Sequence, residues 1–558
     1  MKTINFDNCI GSYDKSLFYK NDYSIDCADP GALWVSKEMN EEWGGYFYIY
    51  LTGEIHNKTE VGDKLSAYKC YRSKDLSTWE LIGQAQNGGC LEVKDDAWAY
   101  RFFWAPEVTY NPADKKFYIF YSAGSKLGDE TTEYTANSED MWSGLYLSIA
   151  VSDTPAGPFK MIESTNADGD VLSRKAPVFN FEKKLNIGHT WAAIDVSPFW
   201  DKDGTLYIYF AKHCDKYHKG ICVYGMKMKD IITPDYSTLK KLTHASVKSV
   251  VGKGHFDADF SEEEIREGGV NEGPFMTEHN GKYYLTYSPF GYGAREYSIM
   301  QAVSDSPLGT FNKVAREIGN PSLGINATND YIAGTGHHNF AYAGDEIIAV
   351  YHAHKDPIQA YVPGGGFKGR VLAVDKMHFV YNEELGYDIL MGNGPTTSLQ
   401  PVARVNATYV NKAMNAKVLS NAVSGEKYIN DDLFTTQEFD WYKEAEFEKI
   451  AQIELTFDKP EIVKGVMVYN SANYAYAFDK VDKIVYTLAD GSQIKMENIL
   501  CDEANVCSEQ QFMRQGGSAI AVTEQDYEVS KIEISITSKY DNSNETIKVS
   551  DVCILAKK

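Results

Sequence analysis

One pattern recurs five times in the first two thirds of the chain and restricts its architecture more than any other feature. Runs rich in aromatic and β-branched residues stand at 46–53 (YFYIYLTG), 116–123 (KFYIFYSA), 205–211 (TLYIYFA), 282–289 (KYYLTYSP) and 346–353 (EIIAVYHA). That composition suits buried strands, and four of the five runs follow a Gly, Asp or Lys turn. A shorter strand-like segment precedes each run, at 28–35, 105–110, 194–200, 272–277 and 337–342. A third follows it, at 67–71, 146–151, 221–226, 299–303 and 371–374, several leading into turn-bearing stretches such as SDTPAGPF and SDSPLGTF. A β-sandwich also has many short strands but not five matched sets. A four-stranded blade repeated around an axis fits, so the chain is expected to be all-β and to begin with a five-bladed β-propeller. Helical periodicity is weak here, and only 260–267 (FSEEEIRE) predicts a short helix.

Composition shifts at 390–404 (LMGNGPTTSLQPVAR), which has the Gly, Pro, Ser and Thr of a linker. Beyond it, 452–457 (QIELTF), 462–469 (IVKGVMVY), 483–487 and 531–536 (KIEISI) alternate apolar and polar residues as half-buried antiparallel strands do, and 489–492 (ADGS) reads as a hairpin turn. The expected division is a propeller over 1–395 and a β-sandwich over 402–558.

A net charge of -23 without a basic run argues against nucleic acid as the partner. No apolar run is long enough to span a bilayer. The opening MKTINFDNCIG has no apolar leader core, so the chain as numbered is expected in the cytoplasm, and outside it only if a leader has been removed. Nine Cys without a CxxC pair read as buried thiols rather than a zinc site or a disulfide framework.

In a propeller the innermost strands line the central channel, and matching strand ends meet at one mouth. Those ends carry Asp29 (ADP), Glu107 (WAPE), Asp195 (IDVSPF), Glu272 (EGP) and His337 (GTGHH). Taken singly, Asp29 reads as a turn residue before Pro30, Asp195 as a loop-capping acid, Glu107 as a satisfied structural acid and His337 as a core histidine. Glu272 has the least structural excuse. Their recurrence at one place in every blade favours function. Breaking a glycosidic bond needs one carboxyl to protonate the leaving oxygen and a second to act as nucleophile or to activate water. A third acid nearby can raise the pKa of the donor. Trp104 and Trp191 read either as apolar walls of a sugar pocket or as core.

The order ADP, WAPE, IDVSPF, EGP, GTGHH over about 23–393 resembles glycoside hydrolase family 43, whose five-bladed propellers act as β-xylosidases, α-L-arabinofuranosidases and endo-arabinanases. The resemblance implies Asp29 as general base, Asp195 as pKa modulator and orienter, and Glu272 as general acid, with inversion at the anomeric carbon. It implies a calcium ion near the axis beside His337, and a substrate-binding arginine at Arg370. The rivals are a non-catalytic carbohydrate-binding propeller, disfavoured because all three acids are present, an endo-acting arabinanase or xylanase, and a retaining fructosidase-like propeller, whose NDPN and RDP patterns are absent. Loops at 125–142, 289–297 and 361–369 are placed to close the funnel into a pocket, which suggests exo action on an oligosaccharide. The second domain resembles galactose-binding-like sandwiches through AQIELTFDKPEIVKGVMVYN (451–470). Its Trp441, Tyr442, Tyr474 and Tyr476 either stack on sugars or pack on the propeller.

Overall fold

The computed structural model describes residues 2–6, 13–57, 64–125, 144–213, 220–244, 267–315, 318–323, 332–354, 369–434, 443–501, 506–507, 512–513, 517–537, 540 and 545–558. Each aromatic run is the second strand of an antiparallel blade. Blade one is Gly31–Val35, Tyr46–Asn57, Lys64–Ser73 and Glu80–Leu81, with Gly89–Val93 beside the third strand. Blade two is Arg101–Asn111, Lys116–Gly124, Leu145–Ser152 and Lys160–Met161. Blade three is Ala193–Trp200, Leu206–Lys212, Cys222–Asp230 and Thr233–Pro234, with Lys240–Lys241 also on its third strand. Blade four is Asn271–His279, Lys282–Pro289, Met300–Ser304 and Asn312–Lys313. Blade five is Ala333–Ala343, Glu346–His354, Arg370–Asn382 and Tyr387–Gly392.

The aromatic runs lack polar alternation because both of their faces are covered by neighbouring blades. Tyr118 and Phe120 of blade two pack on Val196, Ile208 and Phe210 of blade three. Phe47 and Ile49 of blade one pack on Ile348 and Val350 of blade five. Each blade is built from one continuous stretch of chain, so no strand is shared across the seam between the first blade and the last. That seam is sewn by residues just ahead of blade one: Leu372 N–H donates to Ile25 O and Cys27 N–H to Arg370 O, both at 2.9 Å.

The second domain is one nine-stranded sheet wrapped around a single apolar core. Ala451–Asn470 and Ser518–Ile536 run through both halves, and their pairing is interrupted between Thr456 and Glu461 and again between Val463 and Gly465, where the sheet bends. Ile453, Leu455, Val463, Val466 and Val468 all point into that core, which explains the alternation read from the sequence. The turn at 489–492 joins Lys480–Leu488 to Gln493–Leu500, with Leu488 N–H donating to Ser492 O at 2.8 Å.

Two features mark the boundary between the domains. Lys2–Asn5 does not belong to the propeller: it pairs in parallel with Gln493–Leu500 at the edge of the second sheet, and Ile4 packs on that sheet's core. The Gly- and Pro-bearing stretch is no solvated linker either. Thr396, Leu399, Gln400, Val402 and Ala403 are buried, and Gln400–Pro401 pairs with Phe18–Tyr19. Leu17, Phe18 and Leu399 pack against Met467, Tyr469, Ile520, Cys553 and Leu555, which joins the two domains through one apolar cluster.

Cys27, Cys70, Cys90, Cys222, Cys501 and Cys553 are buried. No helix among the described residues is long and apolar enough to cross a membrane. The helix expected at 260–267 lies, but for Glu267, outside the described residues, as do Trp441 and Tyr442. Tyr474 stacks on Tyr540 at 5.3 Å, and Tyr476 lies under the Lys548 ammonium.

Candidate active site

The innermost strands of blades two to five leave regular β geometry. Pairing skips a residue between Trp104 and Glu107, Ile194 and Ser197, Glu272 and Phe275, and Gly336 and Asn339. Inside each skip one residue has left-handed backbone: Ala105 (φ 44°), Asp195 (59°), Gly273 (55°) and His337 (47°). Asp29 (φ 47°) takes the same conformation just ahead of the inner strand of blade one. L-residues other than Gly avoid this region unless their surroundings hold them there, and such a bulge re-aims side chains out of the alternating pattern. Four of the five motifs are these bulges, and the fifth, at Asp29, is a left-handed residue just ahead of its strand. They gather at the axis because blades meet closely: a Cβ on Gly31 would stand 1.9 Å from Pro106 O of blade two.

What holds the bulges was missed in the sequence, although a signal was present. The seventh residue of each aromatic run is Thr52, Ser122, Ala211, Ser288 or His352. Three of these accept the backbone N–H of the left-handed residue of the next blade around the ring. Ala105 N–H donates to Thr52 Oγ1 at 2.8 Å, His337 N–H to Ser288 Oγ at 2.8 Å, and Asp29 N–H to His352 Nδ1 at 3.4 Å. Ser122 instead donates to Trp104 O within its own blade. Ala211 can accept nothing, and the Gly273 N–H next to it in the ring donates to Asp195 Oδ2 at 3.1 Å. Asp195 thereby orients the turn that carries Glu272.

The three acids end in different electrostatic settings. Asp29 Oδ1 accepts from the Arg370 guanidinium at 2.7 Å and lies 3.3 Å from His337 Nδ1, while Oδ2 accepts from Thr52 Oγ1 at 2.9 Å. Burial alone would raise its pKa, but Arg370, His337 and the Thr52 bond outweigh burial and hold it below the usual carboxylate value. Glu272 is 9% exposed, and burial is the main force that pushes its pKa up to about 7. The Asp29 charge adds to that rise, while the Tyr297 hydroxyl, which donates to Oε1 at 2.9 Å, opposes it. Burial, rather than a neighbouring carboxylate, comes first among the causes acting on Glu272. Asp195 is itself pushed up to about 7 by burial, eased by His337 and reinforced by Glu272 and Asp29. Glu107 accepts from Ser197 Oγ at 3.0 Å and is held well above the usual range by burial, with the Asp195 charge adding to it. His338 turns inward to Thr286 at 2.6 Å and is kept neutral by burial.

One funnel thus holds a carboxyl whose pKa is pushed up and another whose pKa is held down, a pairing of the kind glycoside hydrolysis uses. Residues 41–383, more than half of the chain, match the profile of glycosyl hydrolases family 43. The chain belongs to that family. A β-D-galactofuranosidase of Aspergillus niger is 25% identical over 322 residues, 56% of this chain and 71% of the relative. A xylosidase/arabinosidase of Humicola insolens is 24% identical over 321 residues, 54% of this chain and 82% of the relative. Among solved structures, a thermostable family-43 glycoside hydrolase covers 69% of this chain and 99% of its own at 29% identity, with a TM-score of 0.48.

The remaining expected site residues of this glycosidase divide. Trp104 is half-buried and stacks with Phe102 at 4.7 Å and 28° at the channel mouth. Trp191 does not wall the funnel. It is 5% exposed among Phe181, Phe210 and Tyr224, in the core between blades two and three. Arg370 is on the funnel side, spanning Asp29 and the ring of Tyr292, whose centroid lies 4.5 Å from the guanidinium carbon. Calcium asks for a shell of oxygens. Among the described residues no three His, Cys, Asp or Glu side chains converge at ligating geometry, and His337 Nδ1 already faces Asp29. The described side chains around His337 do not by themselves make such a shell. Of the three expected closing loops, 289–297 places Tyr292 beside Arg370, while 126–142 and 361–368 lie outside the described residues.

Proposed function

We propose that this family-43 glycosidase releases pentose units, xylose or arabinose, from the ends of plant-type oligosaccharides with inversion at the anomeric carbon. The carrying observation is the pairing of Asp29 with the Arg370 guanidinium at 2.7 Å in the funnel where Glu272 is buried beside the Tyr297 hydroxyl, settings that push the two carboxyls in opposite directions, Asp29 down and Glu272 up. Glu272 gives its proton to the glycosidic oxygen as the C–O bond breaks, and the bonding pair leaves with that oxygen. Asp29, ionised beside Arg370, takes a proton from water as the water oxygen attacks the anomeric carbon from the other face. Asp195 fixes the turn of Glu272 through Gly273 N–H, and its own pKa is raised in part by the Glu272 charge, which couples the two acids. Trp104 offers an apolar face to the sugar, and Arg370 reaches both base and substrate. The xylosidase/arabinosidase relative supports the substrate class.

Glu272→Gln keeps the shape and removes the proton. Hydrolysis of a xylo- or arabino-oligosaccharide should fall by about 10²–10⁴-fold, the usual worth of general acid help, while an activated aryl glycoside should lose far less. Asp29→Asn should slow both substrates alike. Equal losses on both substrates for Glu272→Gln, or a first-formed sugar of retained anomeric configuration by NMR, would refute the assignment.

A further inference from the structure

The acid of this reading has a partner that no motif announced. Tyr297 is fully buried, and its hydroxyl donates to Glu272 Oε1 at 2.9 Å. Its ring lies parallel to the His352 imidazole, with centroids 5.3 Å apart and planes 7° apart, and His352 accepts the backbone N–H of Asp29. Gly336 leaves the space that this ring occupies: a Cβ there would come 2.5 Å from Tyr297 Cδ1. Tyr297 is therefore wedged between the strand of the acid and the partners of the base, and it cannot turn away from Oε1.

We infer that Tyr297 is a positioning residue that assigns the catalytic proton to one oxygen of Glu272. A carboxyl has two oxygens, and only the protonated one can serve as the donor. Because Tyr297 donates to Oε1, that oxygen is the acceptor and the proton resides on Oε2. When the Oε2–H bond breaks and the proton moves to the glycosidic oxygen, the Tyr297 hydrogen bond becomes charge-assisted and steadies the new carboxylate. Burial and the Glu272 charge keep the Tyr297 phenol well above its ordinary pKa, so it stays a donor throughout the cycle. The other groups facing Glu272 are Asp29 of blade one, Asp195 of blade three, His337 and Arg370 of blade five, and Tyr292 of the 289–297 loop.

The inference rests on Glu272 being the acid, so Glu272→Gln is measured beside Tyr297→Phe. Phenylalanine keeps the ring and its stack on His352, and turnover of an activated aryl glycoside reports that the fold survives. Because the Tyr297 bond lowers the pKa of Glu272, its loss should move the basic limb of the pH–rate profile upward, by about 1 pH unit, a value typical of one hydrogen bond to a charged group. Natural oligosaccharides should slow roughly tenfold more than the aryl substrate, a fraction of full general acid help. An equal loss on both substrates with the basic limb unmoved, or no loss on either, would overturn the inference while the selective loss of Glu272→Gln stands. If Glu272→Gln itself shows no leaving-group dependence, the acid assignment fails and this inference falls with it.

Discussion

Removing the Arg370 guanidinium should shift the pH–rate bell of this glycosidase as a whole. Arg370 stands 2.7 Å from Asp29 Oδ1 and is the strongest of the groups that lower the pKa of that carboxyl. An arginine at such a distance typically lowers an aspartate by about 1–3 units, or about 1.4–4 kcal/mol. His337 and Thr52 remain in Arg370→Met, so the lower part of that range is expected, about 1–2 units upward. The base works only when ionised. The acidic limb of kcat/KM should therefore rise by that amount, and at any pH below the new limb the rate falls tenfold per unit. Arg370 also lowers the pKa of Glu272, though it is the weakest of the causes acting there, so the basic limb should follow by less. The assay is kcat/KM against pH on aryl β-xyloside and α-arabinofuranoside. Arg370→Lys retains a charge without the fork and should restore most of the acidic limb while leaving KM raised. An acidic limb that stays in place in Arg370→Met while activity drops evenly at every pH would refute the electrostatic role and leave the guanidinium as a sugar contact alone.

Trp104→Ala should raise KM roughly tenfold with kcat nearly kept, as expected for an aromatic face lost from a binding site; a large fall in melting temperature with KM unchanged would make it core instead. Trp191→Ala should do the reverse, costing about 3–5 kcal/mol in urea unfolding with KM unchanged in the folded fraction. Deleting residues from 402 onward uncovers Leu17, Phe18 and Leu399 and leaves the 2–5 strand without a partner, so the truncated chain should aggregate. A soluble, fully active product would show the second sheet to be dispensable.

The propeller was legible because each blade's second strand is buried on both faces and so must be aromatic and β-branched along its whole length, a pattern that local composition carries. The chemical motifs were legible because every bulge places a polar or small residue where a strand should continue. Long-range consequences were not. Thr52 and His352 act on residues of the next blade, the latter across the seam, and Tyr297 reaches back to Glu272 within its own blade; no local periodicity encodes which blades adjoin or which loop folds back. The polar seventh residue repeated in the aromatic runs was nonetheless visible as an interruption of apolar sequence. The 390–404 stretch misled because Gly, Pro, Ser and Thr serve a buried crossing as well as a solvated one: Thr396 spends its polar groups on Asp375 and Asn21 rather than on water. Trp191 misled because an aromatic next to an inner strand can face the channel or the gap between blades, and only the packing of Phe181 on it decides.

Asp29 occupies the junction where the ring begins and ends. Its guanidinium partner Arg370, its two imidazole neighbours His337 and His352, and the acceptor of its own N–H all come from the final blade, whereas Thr52 alone comes from its own. With no shared strand across this junction, the bonds that make the base competent are among those that keep the circle shut. Any parting of first blade from last therefore disarms water activation before it disturbs Glu272, whose supports, Tyr297 and the Asp195–Gly273 contact, lie away from that junction in blades three and four. With Asp29 as the proposed base, closing the circle and arming the nucleophilic water are one event, and opening the ring should abolish activity.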